Sequence, residues 1–389
     1  MTRPVRVIHC LRSPVGGLFR HVRDLVYGQA GRGIEVGLIC DANTGGDAAR
    51  AALGELERSC ALGLLRVDMG RLPGPGDLAT HRIIKEHVRE LEPQILHGHG
   101  AKGGAFARLN ARPDGPKAIY TPHGGSLHYS PTSPVGAAFL SLERLLKRRT
   151  AGFIFVAEFE RDAFCAKAGA FRAPSTIVHN GISDDELVPV RLAPDAADFV
   201  FMGELRHLKG VDLVINALAE LNRSRPVSAV LAGTGALERD LKNQTQRAGL
   251  SDKVRFLGLQ PARKAFAMGK VLVLPSRAES FPYAVLEGLG AHKPMITTRV
   301  GGIPEMFGDA AANLLPPGDG PALTRAMAEA LEDDTHLVSQ AETLHRRAGK
   351  LFSAERMVDR VAEFYSRILQ ENMRPHPAAL TTSRAETSA

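Results

Sequence analysis

Residues 271–290 read Val271-Leu-Val-Leu274-Pro275-Ser276-Arg-Ala-Glu279-Ser-Phe281-Pro282-Tyr283-Ala-Val-Leu-Glu287-Gly-Leu-Gly290. Four consecutive apolar residues bounded by a proline turn have the length and branching of a strand buried on both faces. After the turn the period changes. Pro282 suits the first position of a helix, where its missing N–H would be unpaired anyway. Glu279 is left in the loop above the strand, and Glu287 falls about one and a half turns into the helix. A buried strand running through a short loop into a helix is the repeat unit of a parallel α/β sheet.

The same alternation extends in both directions. Strand-like runs precede it at Val5–Cys10, Glu35–Cys40, Ile95–His97, Lys117–Tyr120, Gly152–Val156 and Thr176–His179. Helical patterns lie between them at Leu18–Gln29, His81–Leu91, Ala137–Arg149 and Glu158–Ala168. The second half repeats the scheme, with strands expected at Asp198–Met202, Ala229–Ala232, Val254–Leu257, Val271–Leu274, Met295–Thr298 and Asn313–Leu315. Its helices are expected at Val211–Leu221, Leu237–Ala248, Tyr283–Gly290, Pro321–Leu331 and, as an amphipathic last helix, Ala354–Leu369. The Pro-containing, aperiodic stretch Ser183–Ala197 marks a seam. The expected fold class is α/β: two Rossmann-like domains facing each other across a cleft. Residues 1–185, completed by a helix over 354–372, form one; residues 198–350 form the other. Residues 373–389, rich in Pro, Thr, Ser and Ala, read as a disordered tail.

Composition bounds the function classes. Of 389 residues, 44% are hydrophobic and 23% charged, as in a soluble globular protein with two cores. Cys10, Cys40, Cys60 and Cys165 lack C-x-x-C spacing and point to a reducing compartment. No apolar run reaches the ~18–20 residues of a membrane span, and no signal peptide is visible, so a cytoplasmic location is expected. The net charge of +7 suits nucleotide phosphates, anionic lipid or nucleic acid, and equally a dispersed solvated surface.

Several turns carry candidate chemistry. The helix start after Glu279 exposes backbone amides, which form an anion site. Two carboxylates beside such a site do not help a phosphate; Glu279 and Glu287 are suited to accept hydrogen bonds from sugar hydroxyls, or are simply a helix-entry and a solvated Glu. In Gly203-Glu-Leu-Arg206-His-Leu-Lys209-Gly210, Arg206 and Lys209 follow a strand and can neutralise a diphosphate. A basic solvated turn is the plain alternative. Gly16-Gly17 after the first strand lets backbone approach a phosphate or makes an ordinary tight turn. His97-Gly-His99-Gly100 and Thr121-Pro-His123-Gly-Gly125 put histidines at the ends of first-domain strands. Without a Cys cluster or H-E-x-x-H they do not read as a zinc site, and no D-x-D with metal spacing appears, so no metal is expected. Val300-Gly301-Gly302-Ile303-Pro304-Glu305 is a further glycine turn that shapes the cleft or packs it.

From Gly16-Gly17 to the last helix the pattern resembles the GT-B glycosyltransferases of retaining family four, often called glycosyl transferases group 1. Its most specific element is E-x7-E at Glu279 and Glu287, joined by Lys209-Gly210, Leu274-Pro275-Ser276 and Gly301-Gly302-Ile303-Pro304-Glu305. The resemblance implies a nucleotide-sugar donor (UDP- or GDP-sugar), no separate cofactor, and transfer with retention to a glycan or lipid-linked acceptor, as in bacterial surface polysaccharide or glycolipid assembly. It implies His123 beside the transferring sugar, Lys209 on the diphosphate, Glu279 on sugar hydroxyls and Glu287 on the ribose. Gly16 and Gly17 would approach donor phosphate or acceptor. Backbone around Phe281 and Tyr283 would meet sugar and phosphate, and Leu257 would lie near the base. Two departures stand out. Glu204 occupies the place of the family's arginine, which leaves Arg206 to substitute, and Pro282 removes one backbone N–H.

Helix Ala137–Arg149 carries Arg144, Lys147, Arg148 and Arg149 beside Phe139, Leu142, Leu145 and Leu146. It reads either as a surface helix with a core stripe or as a peripheral contact with the inner face of the plasma membrane. The rival functions are a GT-B nucleotide-sugar epimerase, an NAD oxidoreductase and a nucleic-acid binder. The second lacks G-x-G-x-x-G. The third is disfavoured by 5% aromatic content and no tryptophan.

Overall fold

The computed structural model describes residues 4–371, and the tail over 373–389 lies outside the described residues. The first half runs β1 (Arg6–Leu11), α1 (Gly16–Ala30), β2 (Glu35–Asp41), α2 (Gly46–Glu57), β3 (Leu64–Val67), α3 (Gly76–Leu91), β4 (Ile95–His99), α4 (Gly100–Asn110), β5 (Lys117–Thr121), α5 (Pro134–Leu146), β6 (Gly152–Phe155), α6 (Glu158–Ala168) and β7 (Ser175–Ile177). The second runs β8 (Ala197–Met202), α7 (Val211–Leu221), β9 (Ala229–Ala232), α8 (Glu238–Arg247), β10 (Val254–Gly258), α9 (Ala262–Ala267), β11 (Gly269–Leu274), α10 (Tyr283–Gly290), β12 (Met295–Thr297), α11 (Ile303–Phe307), α12 (Gly320–Glu332), α13 (Thr335–Leu351) and α14 (Ala354–Glu371).

The strands form two parallel sheets, ordered β3-β2-β1-β4-β5-β6-β7 and β10-β9-β8-β11-β12. Each winds outward in both directions from a central pair, β1/β4 in the first and β8/β11 in the second. Such a switch in winding opens a crevice at the carboxyl ends of the central strands, where ligands of doubly wound sheets sit. Buried apolar positions alternate across the first sheet. Val7, Ile95, Ile119 and Ile154 meet α14 through Met357, Val361, Phe364 and Ile368, while Ile8, Cys10 and Leu96 meet α3 and α4. The last helix thus closes the first sheet after the chain has built the second. The two crossings lie side by side, with Ile182 donating to Phe352 O and Ala354 to Ile182 O. Gly181 fits there because a β-carbon would strike the Ser353 backbone.

Three sequence expectations are corrected. Asn313–Leu315 is not a strand but one bridge, Thr298 to Leu315. His97-Gly-His99 lies inside β4 rather than in a turn, and Gly100 opens α4. Helix α4 escapes the periodicity because its glycines weaken the helical signal. They are there for approach: a β-carbon on Gly103 would strike the Cys10 carbonyl, and one on Gly104 the Tyr120 ring. Pro282 is the extended residue before α10, one place earlier than expected.

Candidate active site

At the first switch point the side chains are histidines. His9 on β1 stands opposite His97 on β4, and Leu11 opposite His99, so the 2-residue period brings His9, His97 and His99 to one face. His21 comes from α1, and His123 from the residues just beyond β5. His9 Nδ1 and His99 Nε2 are 2.9 Å apart, His9 Nε2 and Gln29 Oε1 2.9 Å, and His99 Nδ1 and His123 Nε2 3.1 Å. His97 is bonded to Tyr365 of α14 at 2.6 Å and to Thr121 at 2.8 Å. Burial lowers His9 to about 4 and His21 to about 3. It also holds His97, His99 and His123 well below the usual imidazole range, with the neighbouring histidines adding to the effect. All five rings are therefore neutral at pH 7.

Two histidine sets, His9/His97/His99 and His21/His99/His123, bring nitrogens within 4.8 Å of one another. Both nitrogens of His9, His97 and His99 are already committed to hydrogen bonds, and only His21 Nε2 is enclosed without a partner in this cluster.

The loop carrying His123 is bent and braced. His123 has φ 50° and Gly124 φ 76°, a left-handed region that costs a non-glycine residue energy unless its surroundings fix it. Glu160, fully buried at the start of α6, accepts from Gly124 N at 2.5 Å and Val156 N at 3.0 Å. Burial raises its carboxyl to about 7 against those hydrogen bonds. Behind the loop, Glu143 takes Arg108 at 2.7 Å, the Tyr120 hydroxyl at 2.8 Å and the Ser126 hydroxyl at 3.0 Å, so the buried charge is fully partnered.

At the second switch point the side chains are charged. The turn after β8 ends in Lys209, whose Nζ meets Glu279 Oε1 at 2.5 Å; Ser276 Oγ donates to the same oxygen at 2.7 Å. The two loops are locked together. Gly210, at φ 69°, has no room for a β-carbon against the Pro275 carbonyl. Arg277 reaches back to the His207 carbonyl and takes Asp212 with both terminal nitrogens at 2.7–2.8 Å. The Gly301-Gly302 turn packs directly on the backbone of Glu279 and Ser280. Arg206 points elsewhere: it is exposed and pairs with Glu204 at 3.3 Å.

The sheets meet between these centres. Asn180 accepts from His21 at 2.9 Å and donates to the Phe281 carbonyl at 2.7 Å. Gly17 lies against the Tyr283 ring, and the Arg20 guanidinium sits 4.3 Å from that ring's centre. Arg20 also binds Glu287 and, at 2.6–2.7 Å, both oxygens of Glu186. Burial, with Glu186 and Asp24 adding, raises Glu287 to about 7 although Arg20 opposes it. Leu257 is half-buried at the end of β10.

Two family profiles match the chain, one described as Glycosyltransferase Family 4 over residues 15–186 and one as Glycosyl transferases group 1 over residues 184–350. The chain is 25% identical over 311 residues to a phosphatidylinositol N-acetylglucosaminyltransferase component from Arabidopsis thaliana, covering 76% of this chain and 67% of that protein. It is 28% identical over 316 residues to the putative glycosyltransferase EpsD of Bacillus subtilis, covering 75% and 81%. Among solved structures, it superposes on a sucrose-phosphate synthase from Thermosynechococcus elongatus with TM-score 0.79 and 18% identity, covering 95% and 100%. On Anabaena HepE in complex with UDP the values are 0.75, 18%, 93% and 100%. The chain is a GT-B glycosyltransferase.

In this glycosyltransferase most of the residues singled out in the sequence gather at the second switch point and where the two sheets meet. Lys209 and Glu279 are in contact, and Phe281, Tyr283, Glu287 and Gly17 form the seam beside them. His123 lies at the first switch point, in contact with His99 and His21. Gly16, at φ 73°, opens α1 with free space where a side chain would lie. Arg206 and Leu257 are not part of either centre. Sequence reasoning missed His9, His21, Gln29, Arg20, Glu160 and Asn180. For His9 the signal was present, as one polar residue inside the apolar run Val7-Ile8-His9-Cys10. Helix α5 puts Phe139, Leu140 and Leu146 into the protein. Its Arg144 and the following Lys147 bind the carbonyls of Lys167, Ala168 and Ala170 at the end of α6. Among the described residues no helix is long and apolar enough to cross a membrane.

Proposed function

We propose that this glycosyltransferase moves a sugar from a nucleoside-diphosphate sugar to a glycan or lipid-linked acceptor with retention at the anomeric carbon, in the assembly of surface polysaccharide or glycolipid. The observation that carries the donor reading is the Lys209–Glu279 pair at the second switch point, beside the start of α10. The ion pair is a resting arrangement. A bound diphosphate takes Lys209, with the α10 amides beyond Pro282 aiding it. Glu279, still held by Ser276, is released to accept from sugar hydroxyls. Arg206 reaches the diphosphate only by leaving Glu204. Arg20 holds Glu287 at the seam, and Glu287 meets the ribose from there. His123 stands beside the transferring sugar, and no step calls for a metal ion.

In the reaction the bond from the anomeric carbon to the diphosphate oxygen breaks as the acceptor oxygen bonds to the same face, and the acceptor proton passes to the leaving phosphate. Lys209 stabilises the charge that develops on that phosphate, the type of contribution that dominates many enzymes. The relatives support this reading: HepE structures hold UDP and UDP-glucose, and matched proteins include a lipopolysaccharide core mannosyltransferase from Rhizobium leguminosarum. Incubation with UDP- and GDP-sugars and a lipid-linked glycan acceptor, followed by NMR of the new anomeric linkage, tests it. Retained configuration is expected; an inverted product, or conversion of the donor to an epimer with no acceptor used, would overturn it.

A further inference from the structure

The histidine chain at the first switch point has a direction, and bond lengths set it. Tyr365 Oη and His97 Nδ1 are 2.6 Å apart. The hydroxyl's other neighbour, the Gln29 amide, is 3.5 Å away, so His97 Nδ1 is the acceptor within full hydrogen-bond reach of the phenol proton. The phenol therefore gives its one proton to His97, whose Nε2–H donates to Thr121 Oγ1 at 2.8 Å. The Tyr365 oxygen has only lone pairs left for Gln29, whose amide nitrogen lies 3.5 Å away. Gln29 consequently turns its carbonyl oxygen to His9 Nε2.

From there each neutral imidazole, with one proton and one lone pair, passes the direction on. His9 carries its proton on Nε2, so its Nδ1 accepts from His99 Nε2–H. His99 Nδ1 then accepts from His123 Nε2–H. Gln29, His9 and His99 are buried, whereas His123 is only partly so. The chain ends at His123 Nδ1, a lone pair that is not among the enclosed atoms and meets no protein partner among the described residues.

We propose that Gln29, His9 and His99 are positioning residues that fix His123 in the Nε2–H tautomer, so that the cleft presents a hydrogen-bond acceptor at Nδ1 and selects a hydroxyl of the transferring sugar there. The proposal rests on the reading of the chain as a nucleotide-sugar transferase with His123 beside the sugar. It makes the first sheet select by tautomer. A hydroxyl at the matching sugar position donates to Nδ1, whereas a fluorine or methyl ether has no proton to give and is rejected.

Nitrogen-15 NMR of the histidine-labelled full chain reads the tautomers directly. The expected result is Nε2–H for His9, His97, His99 and His123. His21 is expected as Nδ1–H, because Asn180 turns its carbonyl oxygen to it while donating to Phe281. Gln29→Leu removes the terminal acceptor. It should give a mixed His123 tautomer and lower kcat about tenfold, the worth of one hydrogen bond, with the KM for the nucleotide sugar unchanged. Gln29→Glu keeps an acceptor at that end and should restore both tautomer and kcat. An Nδ1–H form of His99 or His123 in the unaltered chain would overturn the proposal. So would one zinc ion per chain that survives dialysis and is lost in His21→Ala, since the lone pairs would then belong to the ion. If the unaltered chain transfers from no nucleotide sugar, the donor reading fails while the tautomers still decide the relay.

Discussion

The two switch points occupy equivalent places in two sheets of the same winding, yet they are built from opposite materials. The first gathers neutral rings whose burial forbids charge. The second keeps Lys209 and Glu279 as a partly accessible ion pair, with Arg277 and Asp212 bracing the turn beneath. The fold supplies the crevice in both cases, and the residues at the strand ends decide what it accepts. A neutral, donor-and-acceptor surface suits sugar hydroxyls; a charged, exchangeable pair suits a diphosphate and the sugar attached to it.

Substitution should break this contrast in order of size. Glu279→Gln, which keeps shape but loses the charge facing Lys209, should lower kcat about 100-fold or more while the chain stays folded; steady-state rates with saturating donor check this, and full turnover would remove Glu279 from the site. Lys209→Ala should weaken nucleoside diphosphate binding by about 10- to 100-fold, the value of a charge-assisted contact, as read by calorimetric titration. His123→Ala should cost about 10- to 100-fold in kcat and leave diphosphate binding intact, which separates the two ends. Arg206→Ala should change either quantity less than about threefold, because Arg206 is exposed and engaged only with Glu204. A larger loss would show that it swings inward to take the place of the arginine that Glu204 displaces.

Acid should separate the ends as well. His9 and His21 fall from 6.5 to about 4 and about 3 in the fold, with burial as the main cause. Below pH 6.5 the unfolded chain binds protons that these rings refuse, so their stability is complete above 6.5 and is lost as pH falls through 4 and 3. Glu160 and Glu287 act the other way. Raised from 4.5 to about 7, chiefly by burial, they stabilise the fold when protonated and lose that contribution as pH rises to 7. Five depressed histidines, together with Asp198, Asp212 and Glu305 held below the usual carboxylate range, outweigh the raised Glu160, Glu287 and Asp24, so the melting temperature should fall from pH 6.5 to pH 4. A flat or rising profile would show that the rings accept protons within the fold.

The second switch point was the more legible because its chemistry is local. A buried strand, a loop with Glu279 and a helix start are contiguous, and the Lys209 turn has the same form after β8. Glu287 was placed on its helix correctly, but its partner Arg20 lies 267 residues away and is brought to it only by the packing of α1 on α10. The first switch point was half visible. His97, His99 and His123 stand next to glycines that catch the eye in the sequence, whereas Gln29, His21 and Tyr365 come from helices whose patterns show only that they are amphipathic. The direction of the chain rests on the contact between His97 and Tyr365, 268 residues apart, and no local pattern encodes that. The bridge at Leu315 and the glycine-rich α4 failed for a related reason. Edge pairing and close helix-to-sheet approach are properties of neighbours in space.

The central claim is that a nucleoside diphosphate binds at the charged switch point. Melting curves of the unaltered chain and of Lys209→Ala, with UDP, GDP and ADP at concentrations far above a micromolar dissociation constant, test it most directly. A ligand at about 100 times its dissociation constant adds about 2.7 kcal/mol. The expected result is a rise of a few degrees with one nucleotide, largely lost in Lys209→Ala. A rise of equal size in both proteins, or none with any nucleotide, would contradict it.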